Sequence, residues 1–129
     1  MKFYRFISTA ILALALSATF SSATRAETML IMFDSEGCPY CELWTEQIGP
    51  IYPKTEEAAI APLLRMDIND PLPDGITING DLIYTPTFVL VNDGQEVDRL
   101  LGYPGEDFFW GLLDRMLRKL PEQNAEGSS

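Results

Sequence analysis

The run from Thr28 to Phe33 is almost unbroken in apolar residues, the pattern of a strand buried on both faces, and it stops at Asp34. Ser35-Glu36-Gly37 reads as a turn. Beyond it the apolar spacing changes: Cys41, Trp44, Ile48 and Ile51 recur at helical intervals and would share one face. Pro39 suits the first helical position, where its missing N–H costs nothing, and Gly49, Pro50 and Pro53 predict a kink or an end. Lys54 to Ile60 can add a turn or two of helix. Pro62 to Ile68 reads as a second strand, with Leu64, Met66 and Ile68 on one side and Arg65 and Asp67 on the other. Residues 69–84 hold two prolines, two glycines and three aspartates, which predicts a long connection with room for one helical turn. A connection of that length in a small domain often carries function.

Thr87 to Val91 is a β-branched and aromatic run, hence a third strand. Asn92-Asp93-Gly94-Gln95 predicts a type I′ hairpin, and Glu96 to Leu101 returns antiparallel. Gly102-Tyr103-Pro104-Gly105 breaks the pattern. A last helix begins near Glu106, with Phe109, Leu112, Leu113, Met116, Leu117 and Leu120 as its apolar stripe. Acids at Glu106 and Asp107 and bases at Arg115, Arg118 and Lys119 suit its two ends, and Pro121 stops it. The expected fold class is α/β: a mixed four-stranded sheet covered by helices.

The first residues stand apart from that domain. Lys2 and Arg5, an apolar core from Phe6 to Leu16, and small residues before Ala23 and Ala26 form the pattern of a cleavable signal peptide. The competing reading is an uncleaved anchor, but the apolar core is shorter than the roughly 20 residues a spanning helix needs. The expected division is therefore a signal peptide over 1–26, one domain over 27–120 and a disordered tail over 121–129, with the product exported to the periplasm. Cleavage would take the formal charge from −10 to −13. Such a surface repels phosphate backbones and anionic lipids, so nucleic acid is not an expected partner.

The chain has no histidine, which excludes Ser-His-Asp and Cys-His nucleophile pairs and removes the commonest metal ligand. Its two cysteines, Cys38 and Cys41, enclose only Pro39 and Tyr40. A disulfide closing so small a ring constrains the unfolded chain little, so a structural staple is a poor account of it. Two thiolates alone also lack the four ligands of structural zinc, and no metal or cofactor is expected. Redox chemistry fits better. Cys38 would sit at a helix N-terminus, where unpaired N–H groups favour a thiolate, and would attack a partner disulfide. Cys41, one turn further in and less exposed, would resolve the mixed disulfide. Ahead of the third strand, Pro86 in Thr85-Pro86-Thr87 must have its missing N–H accommodated, by a cis bond or by an ordinary trans strand start.

Together these residues resemble the thioredoxin superfamily over 28–120. Cys38-Pro39-Tyr40-Cys41 looks like a glutaredoxin-type active-site motif, Thr85-Pro86 like the superfamily's cis-proline site, and Gly102 like the small residue that leaves room for a partner. Arg65 lies near the position where thioredoxins often carry lysine. Met32 stands where thioredoxins place a buried acid, and Gly37 where they place tryptophan; Asp34 and Glu36 are the available substitutes. Gly37-Cys38-Pro39-Tyr40-Cys41, Tyr84 to Leu90 and Gly102 to Trp110 look more closely like SoxS-type periplasmic thioredoxins of bacterial sulfur-oxidation systems. That resemblance implies a reductase acting on disulfides or persulfides of a SoxYZ-type thiol carrier. Used as a reductant, the dithiol needs electrons from a membrane donor, and a small acidic domain is expected to be a monomer. It implies Cys38 and Cys41 as the catalytic pair, Pro39 and Tyr40 as supporting residues, and Thr85, Pro86 and Gly102 as the substrate-binding surface. The alternatives are a disulfide donor or isomerase, use of glutathione, and a non-catalytic module binding copper(I) or a peptide.

Overall fold

The computed structural model describes residues 27–121; the predicted signal peptide over 1–26, and all of the predicted tail except Pro121, lie outside the described residues. β1 (Thr28–Asp34) is one of the two inner strands of a four-stranded sheet ordered β2-β1-β3-β4. Its apolar run is explained by two-sided cover: Leu30, Ile31, Met32 and Phe33 are all fully buried. α1 (Pro39–Gln47) follows the turn, then a 3-10 turn (Tyr52–Lys54) and α2 (Glu56–Ile60), capped by Thr55, whose Oγ1 accepts from Ala58 N–H. β2 (Leu63–Asp67) pairs parallel with β1, while β3 (Thr87–Asn92) pairs antiparallel with β1 and with β4 (Gln95–Leu101). α3 (Glu106–Leu117) closes the domain.

The Asn92 to Gln95 turn forms as expected, with both Asp93 (φ 51°) and Gly94 (φ 77°) in the left-handed region a type I′ turn requires. A Cβ at Gly94 would strike the Gly75 carbonyl, so this glycine also lets residues 69–84 pass against the hairpin.

The sheet has two differently built faces. Leu30, Met32, Phe88 and Leu90 point to one side and pack against Trp44 and Ile48 and against Phe109, Leu113, Met116 and Leu117 of α3. Trp44 is the hub of an aromatic cluster, with ring centroids 5.5 Å from Phe88 and 5.8 Å from Phe109. Burying each such side chain is worth roughly 2–3 kcal/mol, and this is the larger share of the core. On the other side Ile31, Phe33, Val89 and Val91 are covered by Ile68, Leu72, Ile76, Ile78 and Leu82. The expectation of helical cover is therefore met on one face only; on the other the long connection does the work without regular structure.

That connection is clipped to β4. Thr77 bridges to Gln95, and the Glu96 carboxylate accepts from Asn79 N–H (2.6 Å) while binding Arg99 through both oxygens (2.6 and 2.7 Å). Arg99 in turn donates to the carbonyls of Asn79 and Asp81. Desolvation works to raise the Glu96 carboxyl, but the hydrogen bonds from Arg99 and Asn79 outweigh it and hold the group below the usual range.

Three smaller expectations are corrected. Ile51 lies past the end of α1 and is exposed instead of sharing its buried face. The second strand runs only from Leu63 to Asp67, inside the expected 62–68, and lies at the sheet edge. α3 ends at Leu117, short of Pro121, although Leu120 still reaches the core.

Candidate active site

The two cysteines sit where β1 hands over to α1. Cys38 has extended backbone (φ −88°, ψ 105°) and is the N-cap of the helix; Pro39 occupies the first turn. Its Sγ accepts a hydrogen bond from Cys41 N–H at 3.1 Å, so the sulfur points at the helix end, where donors and dipole favour negative charge. The two sulfurs are bonded as a disulfide, and the residues are 7% and 4% exposed. Tyr40, between them in sequence, is 60% exposed.

Thr85, Pro86 and Gly102 are tied to one another and to the turn that precedes the cysteines. The Thr85–Pro86 peptide bond is cis, and Thr85 Oγ1 lies 2.8 Å from Ser35 Oγ in the turn before the cysteines. Thr87 is fully buried and anchors the loop by donating to the Tyr84 carbonyl at 2.6 Å. Gly102 (φ 78°) donates its N–H to the Pro86 carbonyl at 2.7 Å, which ties the end of β4 to the proline. Gly102, Tyr40, Leu101, Tyr103 and Pro104 line an open groove of about 300 Å³ beside the disulfide-bearing helix. Tyr103 donates to Gln47 Oε1 at 2.6 Å and so braces the far end of α1; burial, then the nearby Glu106 carboxylate, push its phenol up.

A second cleft, of about 420 Å³, opens on the other side of the disulfide and is lined by both cysteines. Apart from Ser35 and Thr45, its remaining wall is charged: Asp34, Glu36, Glu42, Glu46 and Arg65. Arg65 binds Asp34 Oδ2 through Nη2 (2.6 Å) and Nε (3.2 Å), and donates to Thr45 Oγ1 through Nη1 (3.0 Å). Thr45 passes the contact on, donating to the Cys41 carbonyl at 2.8 Å. Ser35, Thr45 and Gln47 were not picked out from the sequence. Each acts through one long-range or side-chain contact, and nothing in local periodicity marks such a contact.

The geometry provides a helix-end sulfur, a second sulfur within bonding distance, and an open groove flanked by a cis-proline loop. The comparisons decide what family this is. The reduced form of the periplasmic thioredoxin SoxS from Paracoccus pantotrophus is 46% identical, over 72% of this chain and 98% of that one, with a TM-score of 0.70. The chain belongs to the thioredoxin family, in its SoxS-like branch. Thioredoxins of Fasciola hepatica (19% identity, 71% of this chain and 83% of that one, TM-score 0.51) and Malassezia sympodialis (17%, 72% and 77%, 0.50) share the fold. Neither a protein-family model nor a curated protein matches the chain. As a SoxS-like thioredoxin with a Cys38–Cys41 disulfide, the protein is a thiol–disulfide oxidoreductase. No helix among the described residues is long and apolar enough to cross a membrane.

Proposed function

We propose that the protein is an exported reductase that returns a partner protein's oxidised cysteine, held as a disulfide or persulfide, to the thiol. The observation that carries this reading is the 46% identity to the periplasmic SoxS over nearly all of that chain, together with the cysteine pair at the helix start. In this reading residues 1–26 are the export signal, and the partner is a thiol carrier of the SoxYZ type. Electrons reach the dithiol from a membrane donor, and the domain works as a monomer.

Cys38 is the attacking sulfur, because it caps α1 and faces its free N–H groups; Cys41, slightly more buried, is the resolving one. A partner strand lies along Thr85 and Pro86 and passes Gly102, where the absence of a side chain leaves it room. Pro39 sets the helix start and Tyr40 offers an exposed ring at the groove.

The test is capture. Cys41→Ser should accumulate a mixed disulfide through Cys38 in a periplasmic extract, and mass spectrometry should find the thiol carrier in it. A variant that captures no protein sinks the proposal. The potential of the wild-type pair gives the direction: a value at or below about −230 mV fits a reductant, whereas one near −120 mV marks a disulfide donor.

A further inference from the structure

We infer that the carboxylates lining the cleft beside the disulfide hold the Cys38–Cys41 pair toward its oxidised form, and so make the reduced protein a stronger electron donor. The inference rests on the reductase reading and supplies a structural reason for its direction.

Two opposing fields act on Cys38. As the cap of α1 its sulfur faces helix N–H groups, including that of Cys41 at 3.1 Å, which favour a thiolate. A stabilised thiolate stabilises the reduced protein, and alone it would make the pair an oxidant. Against this stand Glu36 in the preceding turn and Glu42 and Glu46, spaced four residues apart along α1, all in the wall of the cleft that both cysteines line. The one cation in that wall, Arg65, places two nitrogens on Asp34 Oδ2 and so compensates that carboxylate rather than the other three. The cleft therefore stays net negative. A thiolate at Cys38 is repelled by it, and a neutral disulfide is not.

The exchange balances as follows. The Cys38 thiolate attacks one sulfur of the partner disulfide, and the other partner sulfur leaves as a thiolate and is protonated. The Cys41 thiol then gives its proton to water and attacks Cys38 Sγ, and the second partner sulfur leaves as a thiolate that is protonated from water, so the exchange takes up one proton from solvent in all. Two electrons pass to the partner and the protein ends as the disulfide. The acid wall destabilises the charged starting state of this sequence and leaves its neutral end state alone.

Glu36, Glu42 and Glu46 are exposed, so water and salt weaken each contribution, and the sum for three is on the order of 5- to 10-fold in the equilibrium constant. The experiment equilibrates the purified domain with glutathione buffers at pH 8, in 20 mM and in 1 M salt, and reads the oxidised fraction. The triple variant Glu36→Gln/Glu42→Gln/Glu46→Gln should favour the disulfide about 5- to 10-fold less than wild type at low salt, where tenfold corresponds to about 30 mV. High salt should move wild type the same way and leave the triple variant almost still. Arg65→Gln, which unmasks Asp34, should move the balance in the opposite direction. A triple variant within twofold of wild type, or Arg65→Gln shifting with it instead of against it, overturns the inference. The absolute position of wild type against glutathione tests the reductase reading separately, since a strongly oxidising wild type defeats that reading even if the variants shift as expected.

Discussion

Ser35 Oγ and Thr85 Oγ1 lie 2.8 Å apart, a contact across 50 residues of sequence that joins the turn before the cysteines to the cis-proline loop. One side chain comes from the end of β1 and the other from the entrance to β3, so the hydrogen bond fixes the two walls of the site relative to each other. Ser35→Ala and Thr85→Val should each cost about 1 kcal/mol in urea unfolding, with a coupling energy near the same size in the double variant. Both should raise KM for a protein disulfide severalfold while kcat changes less. Fully additive effects in the double-mutant cycle would remove this contact from the account.

The unequal placement of the two sulfurs predicts an order of reactivity. With the reduced protein at pH 7, iodoacetamide should label Cys38 at least tenfold faster than Cys41, because only Cys38 faces the helix N-terminus. Peptide mapping after partial alkylation measures this directly. Cys38→Ser should abolish insulin reduction, and equal labelling of both thiols would contradict the assigned roles.

Glu96 links acid stability to the cover of the sheet. Its folded pKa lies below the unfolded value, so its contribution is fully present above the unfolded pKa of about 4.5 and is lost as pH falls through the lower folded value. Glu96→Gln should therefore cost about 2 kcal/mol at pH 7, with the gap to wild type closing as pH falls below the unfolded value and through the lower folded one. Hydrogen exchange of residues 77–82 should accelerate in the variant, because the carboxylate holds Asn79 N–H and orients Arg99. A stability difference that persists unchanged to pH 2 would rule this out.

Two glycines with similar backbone should behave differently. Gly94→Ala meets both an unfavourable φ and the Gly75 carbonyl, so it should cost more than 2 kcal/mol. Gly102→Ala has open space around its Cβ and should cost only about 1 kcal/mol, yet raise KM for a protein substrate more than Gly94→Ala does. Thermal melts and insulin-reduction kinetics on both variants separate the two effects.

Trp44 is fully buried at the centre of the aromatic cluster and only three residues beyond Cys41. Trp44→Ala should cost about 3–5 kcal/mol, the range for emptying a large core site. Denaturant midpoints with unchanged m-value would check that the loss is one of packing.

Much of this was legible in the chain itself. Unbroken apolarity marked β1 as an inner strand, Pro39 marked the helix start, and Asp93-Gly94 marked the hairpin, because each is enforced by residues adjacent in sequence. Three things were not legible. Leu72, Ile76, Ile78 and Leu82 cover a sheet face from irregular backbone, so their spacing matches neither a helical nor a strand period. Arg99 reaches carbonyls 18 and 20 residues away, which no local pattern encodes. Ile51 has the right spacing for the α1 stripe, and periodicity does not decide whether Gly49 and Pro50 kink the helix or end it; the helix ends at Gln47.

The strand order β2-β1-β3-β4 has a consequence for how the molecule comes apart. Local opening starts at sheet margins and at irregular cover, so β2, β4 and residues 69–84 should lose protection first. β1, paired on both sides and buried along its length, should be among the last to open. Cys38 follows that strand after one short turn. A domain breathing at its rim would thus still present an aligned pair of sulfurs, and loss of activity on heating should track global unfolding instead of the earlier fraying.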